Sequence, residues 1–167
     1  MTVDYQLFID LDGVLVDFDG GVTRAAGRPP SELRPSEMWP VLARTPGFYA
    51  RLDWLEGGRD LWEAVRPFGP AVLTGLPMGK WAEPQKREWC GRELGADVPV
   101  ITGFARDKPA LAAAWMEERG LAGRRPLLVD DRLKTQEPWE DAGGVFVLHL
   151  DAGRTLGALR DLGALPS

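Results

Sequence analysis

A chain of 167 residues, 44% hydrophobic and 27% charged, has the size and balance of one globular unit, which excludes fibrous and disordered architectures. Its formal net charge of −5, with no block of Lys and Arg, excludes a surface for duplex nucleic acid, which needs clustered cations to displace phosphate counterions. A single cysteine, Cys90, allows neither an intrachain disulfide nor a cysteine-based zinc site. No apolar segment approaches the roughly 20 residues that span a bilayer, and Asp4, with no basic residue beside it, does not open a signal peptide, so a reducing cytoplasm is the expected compartment.

In chain order, residues 6–10 form the first short apolar run, too short for a stable helix and patterned as a strand buried on both faces. Residues 14–26 and 58–65 are predicted helices, on either side of a Pro-rich, Trp-bearing stretch at 29–46. The second strand is expected at 71–74. The gap of about sixty residues before it far exceeds the 10 to 15 or so of a crossover helix. A small, mostly helical cap, residues 14–69, is therefore expected to be inserted in a core made of 1–13 and 70–167. Phe18, Trp39, Phe48, Tyr49 and Trp54 concentrate in this insertion; Trp39, Trp54 and Trp62 are expected to pack rather than to bind. Further strands are predicted at 98–102, 126–130 and 144–149, alternating with helices at 83–94, 109–119 and around Trp139, and a last helix at 154–165. Strands alternating with helices predict an α/β fold with a parallel sheet and right-handed crossovers.

Ligands of such sheets bind beyond the carboxyl ends of the strands. There the chain places Asp10-Leu11-Asp12-Gly13, Thr74-Gly75 and Asp130-Asp131, while Lys108 opens the helix after the third strand. Asp10 and Asp12, two residues apart, can share one face, with Gly13 turning the chain away. Together with Asp130 they make an all-oxygen site of the hard type that suits Mg²⁺. With a metal and Lys108 to neutralise charge, Asp10 can attack phosphorus, Asp12 can serve as general acid and base, and the Thr74 hydroxyl and Gly75 amide can hold phosphoryl oxygens. Each feature alone has a plainer reading, Asp-x-Asp-Gly as a turn and Asp130-Asp131 as a helix cap. Lys108 is more telling, because a cation at a helix N-terminus opposes the macrodipole and calls for a local anion.

These residues resemble the four motifs of the haloacid dehalogenase superfamily of phosphatases, in Phe8-Ile-Asp-Leu-Asp-Gly-Val-Leu15, Thr74, Lys108 and Leu128-Val-Asp-Asp131. The resemblance implies a Rossmann-like sheet, Asp10 as nucleophile, Asp12 as general acid and base, and Mg²⁺ held by Asp10, the main-chain carbonyl of Asp12 and Asp130, with Asp131 in support. A narrower similarity is to the 5′(3′)-deoxyribonucleotidases, in the stretch from Asp10 to Gly21, in Gly47-Phe-Tyr49 with Leu52, in Arg106-Asp-Lys108 and in Leu127-Leu-Val-Asp-Asp-Arg132. It implies that Phe18, Phe48 and Tyr49 bind the base and sugar of a nucleotide. The chain departs from that family at Thr74-Gly75-Leu76-Pro77, where Thr-Ser-Pro is frequent.

The expected activity is thus hydrolysis of a small phosphomonoester, foremost a (deoxy)nucleoside monophosphate. A phosphatase for a sugar phosphate and a phosphate-binding protein of slight turnover are the alternatives; a homodimer through an exposed cap surface is compatible with the residues.

Overall fold

The computed structural model describes residues 2–167. The five apolar runs are strands: β1 (Tyr5–Ile9), β2 (Ala71–Gly75), β3 (Val100–Gly103), β4 (Arg125–Asp130) and β5 (Val145–Leu148). They form one parallel sheet in the order β3-β2-β1-β4-β5. The chain thus starts at the centre, builds outward to β3, and returns to the other side of β1 for β4 and β5.

Alternate residues serve opposite faces of this sheet. Leu7, Ile9, Val72, Leu127 and Val129 belong to one buried cluster, and Phe8, Ala71, Leu73 and Leu128 to the other. Because both faces are covered, each strand reads as an unbroken apolar run. Helices α5 (Lys108–Glu118) and α6 (Gln136–Asp141) cover the Phe8 face, where the Phe8 ring meets Trp115 and Trp139 edge-on, both at 5.8 Å. The other cluster takes in α3 (Gly58–Val65), α4 (Ala82–Glu93) and α7 (Ala152–Asp161), and runs on without a break into α1 (Phe18–Ala26) and α2 (Pro35–Arg44). Helix α1 packs on α2, and α3 on α7.

One expectation is corrected between β1 and β2, and one helix is added. The helix predicted from residue 14 begins only at Phe18, capped by Asp17, whose side chain accepts from the Gly20 N–H at 3.0 Å. The residues before it are held instead in a tight turn, in which the amides of Val14, Leu15 and Val16 all donate to the Leu11 carbonyl. The Pro-rich stretch, in turn, contains a ten-residue helix, α2, that starts on Pro35. Proline at the first helical position costs no hydrogen bond, since that N–H has no partner within the helix anyway.

Helix α4 also holds the segment 49–54. The Gln85 carboxamide oxygen accepts from the Tyr49 N–H at 2.8 Å, Trp89 Nε1 donates to the Leu52 carbonyl at 2.8 Å, and Arg92 donates to the Ala50 carbonyl at 2.7 Å. Trp54 Nε1 donates back to Glu93 at 3.1 Å.

The turn at Gly13 depends on glycine twice over. Its φ of +78° lies in the left-handed region, and a Cβ there would overlap the Asp131 carboxylate. Gly13→Ala is expected to lower the stability of the fold by about 1–3 kcal/mol, read as a lower urea midpoint with an unchanged m-value.

Candidate active site

A cleft of about 660 Å³ opens above the carboxyl ends of β1, β2 and β4. Its floor carries Asp10, Asp12, Gly75, Lys108 and Asp131, and its upper wall carries Phe18, Trp39 and Tyr49 from the segment between β1 and β2.

Asp10 follows the last residue of β1 and is almost fully buried. Its Oδ1 accepts from the Leu11 N–H at 2.9 Å and lies 3.3 Å from Lys108 Nζ. The same ammonium is 2.9 Å from Asp130 Oδ2, and Asp130 Oδ1 accepts from the Arg132 N–H at 2.9 Å. Lys108 thus opens α5 against the helix dipole with two carboxylates facing it, which answers the electrostatic conflict visible in the sequence. Carboxylate oxygens of Asp10, Asp130 and Asp131 lie within 4.8 Å of one another.

The charges of this group pull in opposite directions. Burial pushes Asp10 up, and repulsion from Asp130 and Asp12 adds to this against the pull of Lys108 and Lys86, so that its carboxyl titrates at about 8. Burial also raises Asp131, with Asp130 beside it, to about 6. Asp130 goes the other way: burial is opposed by Lys108 and by hydrogen bonds, and the net result lies below the usual carboxylate value. Burial would lower Lys108, but Asp10 and Asp130 more than offset it and hold the ammonium above its usual value.

Asp12 does not join the three clustered acids. Its Oδ2 lies 2.9 Å from the ammonium of Lys86, a residue of α4 that the sequence reading passed over. Lys86 also donates to Thr74 Oγ1 at 2.9 Å and to the Gly75 carbonyl at 2.7 Å. Thr74 is fully buried with its hydroxyl oxygen taken up in this way, and is not among the residues lining the cleft, whereas Gly75 is. Lys86 was detectable in principle: Ala82, Lys86, Trp89 and Cys90 are the buried residues of α4, spaced to share one face, and a lysine on such a stripe must find partners inside.

The three aromatics named for substrate binding divide. Phe18 and Tyr49 line the cleft, stacked on each other at 6.1 Å. Phe48 does not; it is buried behind them, edge-on to both rings and beside Gly21. Trp39, expected only to pack, leans on Phe18 and also lines the cleft. Trp54 and Trp62 pack as expected. Burial, with Asp12 and Asp10 nearby, pushes the Tyr49 phenol well above its usual value, so its hydroxyl stays a donor. The only histidine, His149, is buried at the β5 end of the cleft, where Nδ1 is 2.8 Å from Thr155 Oγ1.

Comparison with known proteins identifies this fold. No family model and no curated protein sequence matches the chain. Solved structures do. A hydrolase from Streptococcus pneumoniae superposes with a TM-score of 0.60 at 15% identity, over 99% of this chain and 100% of that one. A haloacid dehalogenase (HAD) family hydrolase from Deinococcus radiodurans, with bound phosphate and sodium, gives 0.54 at 17% identity, over 98% of each chain. A HAD-superfamily hydrolase of subfamily IA from Geobacter sulfurreducens gives 0.56 at 17% identity, over 90% and 91%. The chain has the HAD-like α/β fold.

The raised Asp10 value has a consequence for stability. In the native state this carboxyl binds its proton more tightly than in the unfolded chain, so its contribution is fully present below the ordinary value of 3.8 and is lost as pH rises through about 8. In metal-free protein, Asp10→Asn should therefore become progressively more stable than the wild type from pH 4 to pH 8. Thermal midpoints of the two proteins across that range check this; a constant difference would contradict it.

Proposed function

We propose that the protein is a Mg²⁺-dependent phosphomonoester hydrolase that forms a phospho-aspartyl intermediate on Asp10, and that its preferred substrates are (deoxy)nucleoside monophosphates, as in a 5′(3′)-deoxyribonucleotidase. The observation that carries this reading is the position of Asp10: at the floor of the cleft, beside the Lys108 ammonium at 3.3 Å, and within the same group of carboxylates as Asp130 and Asp131.

The donor set fits the metal. It consists of carboxylate oxygens alone, while the softer candidates are engaged elsewhere, Cys90 buried in α4 and His149 against Thr155. Asp10, Asp130 and Asp131 would hold Mg²⁺, together with the main-chain carbonyl of Asp12. The ion would supply positive charge against the phosphate dianion and against the developing negative charge.

The chain's own residues account for the rest. Lys108 offers its ammonium to the phosphoryl oxygens and so lets an anion approach an acid. Asp10 attacks phosphorus, and as the bond to the leaving oxygen breaks, Asp12 gives that oxygen a proton. Asp12, now a carboxylate, takes a proton from the water that cleaves the acyl phosphate, which releases phosphate and restores both acids. The Gly75 amide is the available donor at the end of β2 for a phosphoryl oxygen. Phe18 and Trp39, backed by the buried Tyr49, support a base-bearing substrate, because aromatic faces stack on any nucleobase.

The test is phosphate release from a panel of 5′- and 3′-(deoxy)nucleotides, sugar phosphates and an aryl phosphate. Activity should vanish on chelation and return with Mg²⁺. Asp10→Asn should abolish release while the fold is kept, and wild-type turnover in that variant would sink the nucleophile assignment. Asp12→Asn should be slowed by roughly 10²- to 10⁴-fold. Phe18→Ala should weaken turnover of nucleotides and spare the aryl ester; equal losses on both would assign Phe18 to packing, and activity confined to sugar phosphates would discard the nucleotidase.

A further inference from the structure

Lys86 is a buried cation that the mechanism above leaves unused. The residue is 2% exposed, and its ammonium has three hydrogen atoms for three acceptors, Asp12 Oδ2 at 2.9 Å, Thr74 Oγ1 at 2.9 Å and the Gly75 carbonyl at 2.7 Å. The face of the Tyr49 ring covers it, with the centroid 4.5 Å away. Tyr49 is held in turn by Gln85, the residue before Lys86, through its backbone N–H. With every donor engaged and a ring closing the remaining side, Lys86 has nothing left to offer a phosphate. Its role is directed at Asp12.

We propose that Lys86 is the positioning residue of the proton-transfer group: it ties Oδ2 of Asp12, leaves the other carboxylate oxygen for the leaving group, and counters the negative charge that Asp12 acquires as its proton departs. This rests on the phosphatase reading. The constraint acts on a side chain with few other restraints. Asp12 is about a quarter exposed and has no other charged partner among the described residues, whereas Asp10 and Asp130 are fixed by Lys108 and by main-chain N–H groups. Two lysines thus divide the work, Lys108 serving the nucleophile and the metal ligand, Lys86 the acid and base.

A positioning residue of this kind matters most when the leaving oxygen needs a proton. The experiment compares kcat/KM, which reports steps up to phosphoryl transfer, for an alkyl phosphate and for an aryl phosphate whose phenolate leaves unaided. Lys86→Met should cost about 10²-fold on the alkyl ester and less than about tenfold on the aryl ester. In an Asp12→Asn background, Lys86→Met should add nothing on the alkyl ester, because the group it serves is gone. Equal losses on both esters, or a full further loss in the double variant, would overturn the proposal. If Lys86→Met fails to fold, Lys86→Gln, which keeps an N–H donor without the charge, undergoes the same comparison, with the same results deciding. Release of phosphate that survives Asp10→Asn, or no release by the wild type, overturns the phosphatase reading and the role of Lys86 with it. Release that is lost in Asp10→Asn but falls equally on both esters in the Lys86 variants overturns only the role of Lys86.

Discussion

Four carboxylates meet at one end of a sheet in this protein, and two buried ammonium groups stand between them. Like charges packed so closely in a medium poorer than water would repel by several kcal/mol, and isolated buried ions are costlier still. Lys108, between Asp10 and Asp130, relieves the inner pair; Lys86 relieves Asp12. Each lysine sits on a helix that packs on its own face of the sheet, α5 on the Phe8 side and α4 on the other. Burial above all, with repulsion from Asp130 and Asp12 added to it, still displaces Asp10 upward, and four acids face only two lysines. A site left with surplus negative charge is one that gains from a divalent cation.

The topology explains how residues so far apart in the chain arrive together. With β1 at the centre and β2 and β4 as its neighbours, the acids that follow β1 and β4 are adjacent, and the end of β2 is on the other flank. The chain reverses its direction of travel across the sheet at this point. Crevices form where neighbouring crossovers leave to opposite sides. The cleft lies above that place, and the segment between β1 and β2 closes it from above.

Much of this was legible in the sequence because buried parallel strands announce themselves as short apolar runs, and the chemistry sits directly after them. The strand positions, the meeting of Asp10 with Asp130 and the anion demanded by Lys108 all followed from that, whereas Asp12, expected beside them, stands with Lys86, and Asp131 was expected only in support. The rest was hidden for physical reasons. In α4, Lys86 lies among Glu83, Arg87, Glu88 and Arg92, so the helix reads as a solvated surface unless its inward stripe is traced first. Helix α2 was masked by four prolines, two of them before it, one at its start and one within it. Aromatic side chains carry no mark of whether they pack or line: Phe18 and Phe48 are the same residue type, and only the third dimension puts one in the cleft and the other behind it.

Three of the four ties between α4 and the segment 49–54 are asymmetric, the side-chain pair of Trp54 and Glu93 being the exception. On the helix the groups are side chains, Gln85, Trp89 and Arg92; on the segment they are the main-chain atoms of Tyr49, Leu52 and Ala50. Main-chain acceptors and donors are present whatever residue occupies the position. Tyr49, the part of the cleft wall that this segment carries, can therefore be replaced by any residue that keeps a backbone N–H without losing this attachment, while the helix that grips it cannot be so freely altered. A scaffold built this way leaves its recognition surface open to selection for new substrates and keeps the machinery beneath it under restraint.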